Sequence, residues 1–535
     1  MLKKVKFSKH LLIVTFLFVF TACGQAATPQ AQGESGVYEQ EESGLIASEI
    51  TQDAMEVVFA QWADPPSLDP HGSNDTVSSE AQSQIFEGLT TFDVNGNVVG
   101  LLATDFNLVE DNVWEFTLRQ GVTFHDGEPF NAEAVALTIN RLLAPEHAFP
   151  RAFILEMVDE VIVIDEYTVQ FVTPFPFSPL PSHLAHDAGH IISPAAIARE
   201  VEGGVTVNEL PVGTGPFMFY SRIHGEELVM VRNENYWGYP AYIQTLRFVV
   251  IPESGTRLNM LMTGEAHATI ASAIDAQVIR DTPHLDLMHI YSTRQNYVGF
   301  NTQVAPFDDV RVRQAIAMVL DLDAIVYSID GMGIPAVGPL SPSVTGTAFD
   351  QVIPISGTTE EAMELLAEAG FPNGFSTTIT LGAGRPAEES FTAQILQINL
   401  ASIGIDATIN EMEWGAFLDY TGAGQQEIFI LGWTVVTGDA DYGFYPLFHS
   451  SHFGIPGNRT FYHNPLVDEL LDLARMTSDQ EERNTLYLQV TEIIVNEVPK
   501  ISTFYPTFAF GTNSLEGLFV DFNNVPFFHT ARLVE

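Results

Sequence analysis

The chain has 535 residues, with 68 Asp and Glu against 22 Lys and Arg, for a formal net charge of −46. That balance excludes the basic surface that nucleic-acid binding requires and reads as a solvated, self-repelling exterior suited to a salty or alkaline habitat. A single cysteine, Cys23, excludes an internal disulfide, and the length exceeds what one hydrophobic core organises.

Lys3, Lys4, Lys6 and Lys9 precede an apolar run over 11–20, too short to span a bilayer and suited to the centre of a signal peptide over 1–22. The residues Phe20-Thr21-Ala22-Cys23-Gly24 resemble a bacterial lipoprotein processing site. The resemblance implies lipidation of Cys23 and a chain exported to the outer face of the cell membrane, which is the extracellular side in a Gram-positive cell and the periplasmic side otherwise. Loss of the four leader lysines takes the charge from −46 to about −50 and leaves Lys500 as the one remaining lysine. Residues 23–54, rich in Gln, Ala, Glu and Gly, have little to bury and read as a flexible tether. The folded part is expected to begin near Met55.

Trp114, Phe116 and Leu118 alternate with Glu115 and Thr117, predicting a strand over 114–118. The spacing over 131–143 predicts a helix capped by Asn131, with Glu133 in its first turn. Residues 161–165 and 168–172 read as paired strands around a Glu-Tyr turn. Helices are expected over 308–320, 360–369 and 390–402, the last flanked by strands at 377–381 and 405–410 as a βαβ unit. Two long amphipathic helices, 465–475 and 480–498, close the series. The architecture expected is mixed α/β.

Catalytic signatures are absent from the sequence: there is no His-Glu-x-x-His, no Gly-x-Ser-x-Gly and no phosphate loop. Gly331-Met332-Gly333 imitates a dinucleotide turn but follows a helical segment and leads into Pro335. His183, His186 and His190, and His449 with His452, have spacings that can hold a transition metal, although scattered structural histidines are the plainer reading. With 68 carboxylates, accidental pairs of the glycoside-hydrolysing kind are unavoidable. No enzyme activity, cofactor or metal is expected.

The stretch GWTVVTGDADYG, residues 432–443, sets two aspartates close to a tryptophan. From Asp439 it opens like a calcium loop, but positions 5, 6 and 12 hold Gly443, Phe444 and Ser450 where an oxygen ligand, Gly and Glu are needed. Ligand contact or loop bracing then remain for Asp439 and Asp441.

Several segments in order resemble one family: PPSLDPHGSNDTVSSEAQSQIFEGL (65–89), WEFTLRQGVTFHDGEPFNAEAV (114–135), PVGTGPFMF (211–219), RNENYWG (232–238), MLMTGEAHATI (260–270), DDVRVRQAIAMVLD (308–321), AGFPNGFS (369–376) and YHNPLVDELLDLAR (462–475). They are similar to the large peptide-type (family 5) substrate-binding lipoproteins of ABC importers, over about 55–535. SNDTVS (73–78), LAHDAGHIISPAAI (184–197), NGFSTT (373–378) and the 432–443 stretch resemble the glutathione-binding branch. The resemblance implies a two-lobed periplasmic-binding-protein-like α/β fold with two hinge crossings and ligand between the lobes. Lobe I would be 55–296 plus 505–535, with an extra subdomain at about 90–200, and lobe II 297–504. His125 and Asp126 read as scaffold within a turn.

The resemblance further implies a small peptide-like ligand, glutathione or a short peptide, an importer permease with cytoplasmic ATPases, and a monomer. A nickel or metal-chelate binder, a general di- or oligopeptide binder, a peptide-sensing receptor and an extracellular hydrolase are the alternatives. Peptide-binding members carry an Asp three residues after the tryptophan for the ligand's α-ammonium; here that position is Val436, so Asp439 is expected to take the role, with Asp441 as a contact or a brace. Arg385, Arg294 and Arg151 are the candidates for ligand carboxylates, because guanidinium offers two parallel hydrogen bonds. Trp433 and Trp414 are candidates for stacking on the ligand or filling the core, Asn74 for a hydrogen bond from lobe I, and Thr434, Thr437 and Phe153 are further ligand-binding candidates.

Overall fold

The strand Lys500–Asn513 is the spine of the molecule. In this computed structural model, which describes residues 55–534 apart from 95, 347–350, 384–386 and 455–456, its N-terminal part pairs antiparallel with strand Arg294–Phe300. Its C-terminal part pairs antiparallel with Ala268–Ala271 and Leu285–Tyr291. Both belong to one 12-stranded sheet. From one edge the main path runs through Asp406–Met412, Ser376–Gly382, Ile428–Thr434, Arg294–Phe300, Lys500–Asn513, Ala268–Ala271, Glu56–Gln61, Thr245–Val250 and Glu227–Arg232 to Phe217–Ile223. The signal peptide, Cys23 and the tether expected over 23–54 lie outside the described residues.

Two main hydrophobic cores form along this sheet. The first gathers Phe59, Phe116, Phe171, Phe217, Phe248, Phe510 and Phe528. Phe59 packs against three of those rings, with centroids 5.0 Å from Phe248, 5.6 Å from Phe528 and 6.2 Å from Phe510. Burying each such ring contributes about 1.5–3 kcal/mol. The second core gathers Val298, Phe300, Phe307, Ile316, Ile379, Leu396 and Ile430. A smaller cluster lies around Phe444, Phe448, Leu471 and Tyr487.

The predicted elements are present with small boundary changes. Strand Val113–Leu118 sits in a four-stranded antiparallel sheet with Ala103–Glu110, Thr168–Val172 and Glu160–Asp165. Helix Ala132–Leu143 is capped by Asn131, whose Oδ1 accepts the Ala134 amide at 3.0 Å. Strands Ser376–Gly382 and Asp406–Met412 are parallel and joined by helix Ala387–Ser402, the expected βαβ unit. Helices Pro465–Met476 and Gln480–Glu497 pack together beneath the 432–443 stretch. His125 and Asp126 serve as scaffold: the imidazole meets the Gly215 carbonyl at 2.9 Å, and Asp126 accepts from the Ser193 hydroxyl at 2.6 Å.

Candidate functional site

Strand Ile428–Thr434 lies antiparallel to Arg294–Phe300, with Thr434 opposite Arg294 and Trp433 opposite Gln295. The chain then turns through Gly438, at φ +64, straight into helix Ala440–Phe448. The stretch read as one ligand loop is thus a strand end, a short turn and a helix start. Asp439 is the helix cap, its Oδ1 accepting the Asp441 amide at 2.8 Å.

Both aspartates have arginine partners from the two helices behind. Arg483 reaches Asp439 Oδ1 at 2.8 Å and Oδ2 at 3.0 Å. Arg475 reaches Asp441 Oδ1 at 2.8 Å and Oδ2 at 3.0 Å, and lies over the Tyr445 ring at 3.3 Å. Burial pushes the Asp441 carboxyl up, and Arg475 outweighs it, holding the group below its usual range. Asp439, expected to grip a ligand ammonium, is thus paired with Arg483 inside the fold while it caps the helix. Asp441 is likewise a brace.

Around them lies an aromatic seam. Trp433 is half-buried, donates its indole N–H to the Tyr442 carbonyl at 2.9 Å and stacks on the Tyr442 ring at 5.4 Å. Tyr442 also meets Phe153, stacked at 6.4 Å, and His183, edge-on at 6.4 Å. Phe153 is 40% exposed. Tyr442 packs against the first core as well as the Phe444 cluster, so it joins the two parts of the molecule. Thr434 is half-buried, while Thr437 is fully buried with its hydroxyl lacking a hydrogen-bond partner. Trp414 opens helix Trp414–Gly422 and stacks on Phe417 at 5.5 Å, and like Trp433 it packs against the cluster of Tyr297, Phe429 and Leu431.

The arginines differ sharply. Arg294 keeps 22% of its side chain exposed, bonds Asn296 Oδ1 at 3.0 Å and stands 3.5 Å from Glu389. Its guanidinium lies directly over Gly432, where any Cβ would collide with it. Arg151, by contrast, is 1% exposed. It donates to the Pro70 carbonyl, Gln82 and Ser79, each at 2.7 Å, and pairs with Asp187 at 3.3 Å. Expected to meet a ligand carboxylate, it here braces the core through Nη1 and Nη2. Arg385 lies outside the described residues. Asn74 is exposed, next to Asp75, which caps helix Thr76–Ile85.

The histidines with metal-like spacing part company. His183 meets the Ile154 carbonyl at 2.7 Å, His186 accepts the Ala188 amide at 3.0 Å, and His190 approaches Asp187 at 3.6 Å. Among the described residues no three His, Cys, Asp or Glu side chains gather as metal ligands. Sequence reasoning missed Arg475, Arg483 and Tyr442. The available signal was the scarcity of cations: two arginines in the helices that follow two clustered aspartates.

Three kinds of likeness bear on this site. Residues 97–454 match the model of bacterial extracellular solute-binding proteins, family 5 Middle. The chain is 31% identical over 470 residues to the glutathione-binding protein GsiB of Pectobacterium atrosepticum, covering 86% of this chain and 90% of that one. It is 31% identical over 478 residues to the protein of the same name from Escherichia coli K12, covering 86% and 92%. Among solved structures, HbpA2 from Haemophilus parasuis superposes with a TM-score of 0.84 at 28% identity, covering 90% of this chain and 100% of that one. The periplasmic binding protein DppA from Helicobacter pylori, in complex with the peptide STSA, superposes with a TM-score of 0.73 at 28% identity, covering 90% and 98%.

Proposed function

Because the chain belongs to family 5 of the bacterial extracellular solute-binding proteins, we propose that it captures glutathione or a short peptide outside the cytoplasm and hands it to the permease of an ABC importer. The observation that carries this reading is the seam where Trp433, Thr434 and Arg294 lie at the ends of adjacent strands and Tyr442 stacks on Trp433 and meets the exposed Phe153. An aromatic face beside an arginine suits a small amphoteric ligand: the ring covers its backbone and the guanidinium takes a carboxylate through two parallel bonds.

In this reading Arg294 and Arg385 take the carboxylates and Trp433 and Trp414 cover the ligand. Thr434, Thr437 and Asn74 supply hydrogen bonds, and Phe153 closes the apolar side. Lobe I is 55–296 with 505–535, including a subdomain at about 90–200, lobe II is 297–504, and closure is a hinge motion about the two crossings. Cys23 carries the lipid that holds the chain at the membrane, and the protein works as a monomer.

Thermal unfolding with reduced and oxidised glutathione, di- to pentapeptides, and nickel with and without histidine tests the reading. A ligand at about 100 times its dissociation constant adds about 2.7 kcal/mol of stability. The expected result is a shift with glutathione that Arg385→Ala abolishes. A shift with peptides alone would transfer the site to that class, and a shift with nickel alone would overturn it.

A further inference from the structure

The C-terminal turn 521–525 presses on the turn between strand Ile428–Thr434 and helix Ala440–Phe448. Asn523 donates its side-chain N–H to the Val436 carbonyl at 3.1 Å. Phe522 sits over Gly438 and meets Phe92 edge-on at 4.8 Å. Both aspartates of the 432–443 stretch are already paired with arginines, so that stretch offers no free carboxylate to a cationic group.

The 521–525 turn supplies what is missing. Asp521 Oδ1 accepts the amides of Asn523 at 2.9 Å and Val525 at 2.8 Å, and among the described residues no arginine, lysine or histidine pairs with this carboxyl. The Oδ1 atoms of Asn523 and Asn524 are buried without a hydrogen-bond partner, and Asn524 as a whole is 5% exposed. The Thr437 hydroxyl across the seam is also buried and unpartnered. Two side-chain amide oxygens of the turn face no donor beside a carboxylate without a cationic partner, and a buried acceptor without a donor is costly. A donor-rich cation satisfies all three.

We propose that the 521–524 turn seats the ammonium group of the ligand beside Val436, with the Asp521 carboxylate and the amide oxygens of Asn523 and Asn524 as its acceptors. This rests on the ligand class proposed above, a small molecule bearing one ammonium. An alkylammonium fits the set because it carries three donors on one centre.

The electrostatics add a consequence. Burial and the neighbouring Asp187 raise the Asp521 carboxyl to about 7. Asp187 is itself paired with Arg151, so that guanidinium is not left over for Asp521. An arriving ammonium favours the carboxylate, and the displaced proton leaves to solvent. Binding at pH 7 then releases a fraction of a proton.

The test is calorimetry on the full chain at pH 7, in two buffers of different ionisation heat. The probes are reduced glutathione and its N-acetyl derivative, the variants Asp521→Asn and Asn523→Ala. Asp521→Asn keeps an oxygen for the two turn amides and is compared only if its melting temperature is preserved; Asn523→Ala is the second arm. The expected result is that the wild type prefers the free amine by about tenfold or more, with proton release. Asp521→Asn collapses the preference and abolishes the release, and Asn523→Ala reduces the preference. A folded Asp521→Asn that keeps both preference and release overturns the proposal, as does a wild type binding both forms equally. If the wild type binds neither form, trialanine and N-acetyl-trialanine take their place: binding there shifts the ligand identity while still testing the seat, and silence with all four overturns both readings.

Discussion

Asp439 and Arg483, 44 residues apart, meet through two parallel hydrogen bonds of 2.8 and 3.0 Å in a site where neither side chain exceeds 8% exposure. Removing one partner of such a pair leaves the other charge buried and uncompensated. Asp439→Ala is therefore expected to cost about 3–5 kcal/mol, with about 1 kcal/mol more from the lost helix cap. Urea unfolding checks this. Unchanged stability with lost ligand binding would return Asp439 to the ligand.

Gly432 has no side chain because the Arg294 guanidinium and Asn296 occupy that space. Gly432→Ala is expected to push Arg294 out of position and weaken binding of a carboxylate ligand about tenfold. The penalty should shrink when Arg294 is already Ala, since the Arg294 share of the clash is then gone and only the Asn296 share remains. Calorimetry on the two single variants and the double variant measures this; equal penalties in both backgrounds would remove Arg294 from the site.

Stability should peak near pH 6.5 to 7. Burial lowers His186 to about 3 and His125 and His190 to about 4. Their unfolded forms take up protons from about pH 6.5 downward, so acid favours the unfolded chain between there and about pH 4. On the other side, burial raises Glu80 to about 8 and Asp521 to about 7. Neutral carboxyls favoured by the fold lose that advantage as the pH climbs from the unfolded carboxyl range through the raised values. Melting temperatures from pH 4 to 9 should trace the peak, and Glu80→Gln should flatten its alkaline limb. A curve unchanged by Glu80→Gln would show that this carboxyl is already ionised at pH 7.

A chain with a net charge of −46 repels itself when compact. Raising sodium chloride from about 0.1 M to about 1 M shortens the screening distance from about 10 Å to about 3 Å. The melting temperature should therefore rise, and a fall would mean that the arginine–carboxylate pairs outweigh the repulsion.

What the sequence made legible was local. Asn131 announced a helix start because cap chemistry sits within four residues, and the βαβ unit at 376–412 announced itself through two apolar strands around a helical period. Family-like segments carried the two-lobed architecture. The site was legible only in part. Trp433 and Arg294 fall on facing strand ends, but the partners of Asp439 and Asp441 are arginines more than thirty residues downstream, chosen by helix packing that no local pattern encodes. The surroundings of Arg151 were hidden for the same reason: Ser79, Gln82 and Asp187 come to it only through the fold.

The strand Lys500–Asn513 pairs its first half with one core's strands and its second half with the other's. A peptide backbone neither stretches nor slips without breaking its ladder of bonds on both sides. The two cores are therefore tied by one continuous strand that neither can release without losing part of its own ladder. Under the proposed capture of a ligand beside Trp433, any shift of this strand's register would be carried into the packing of both cores at once.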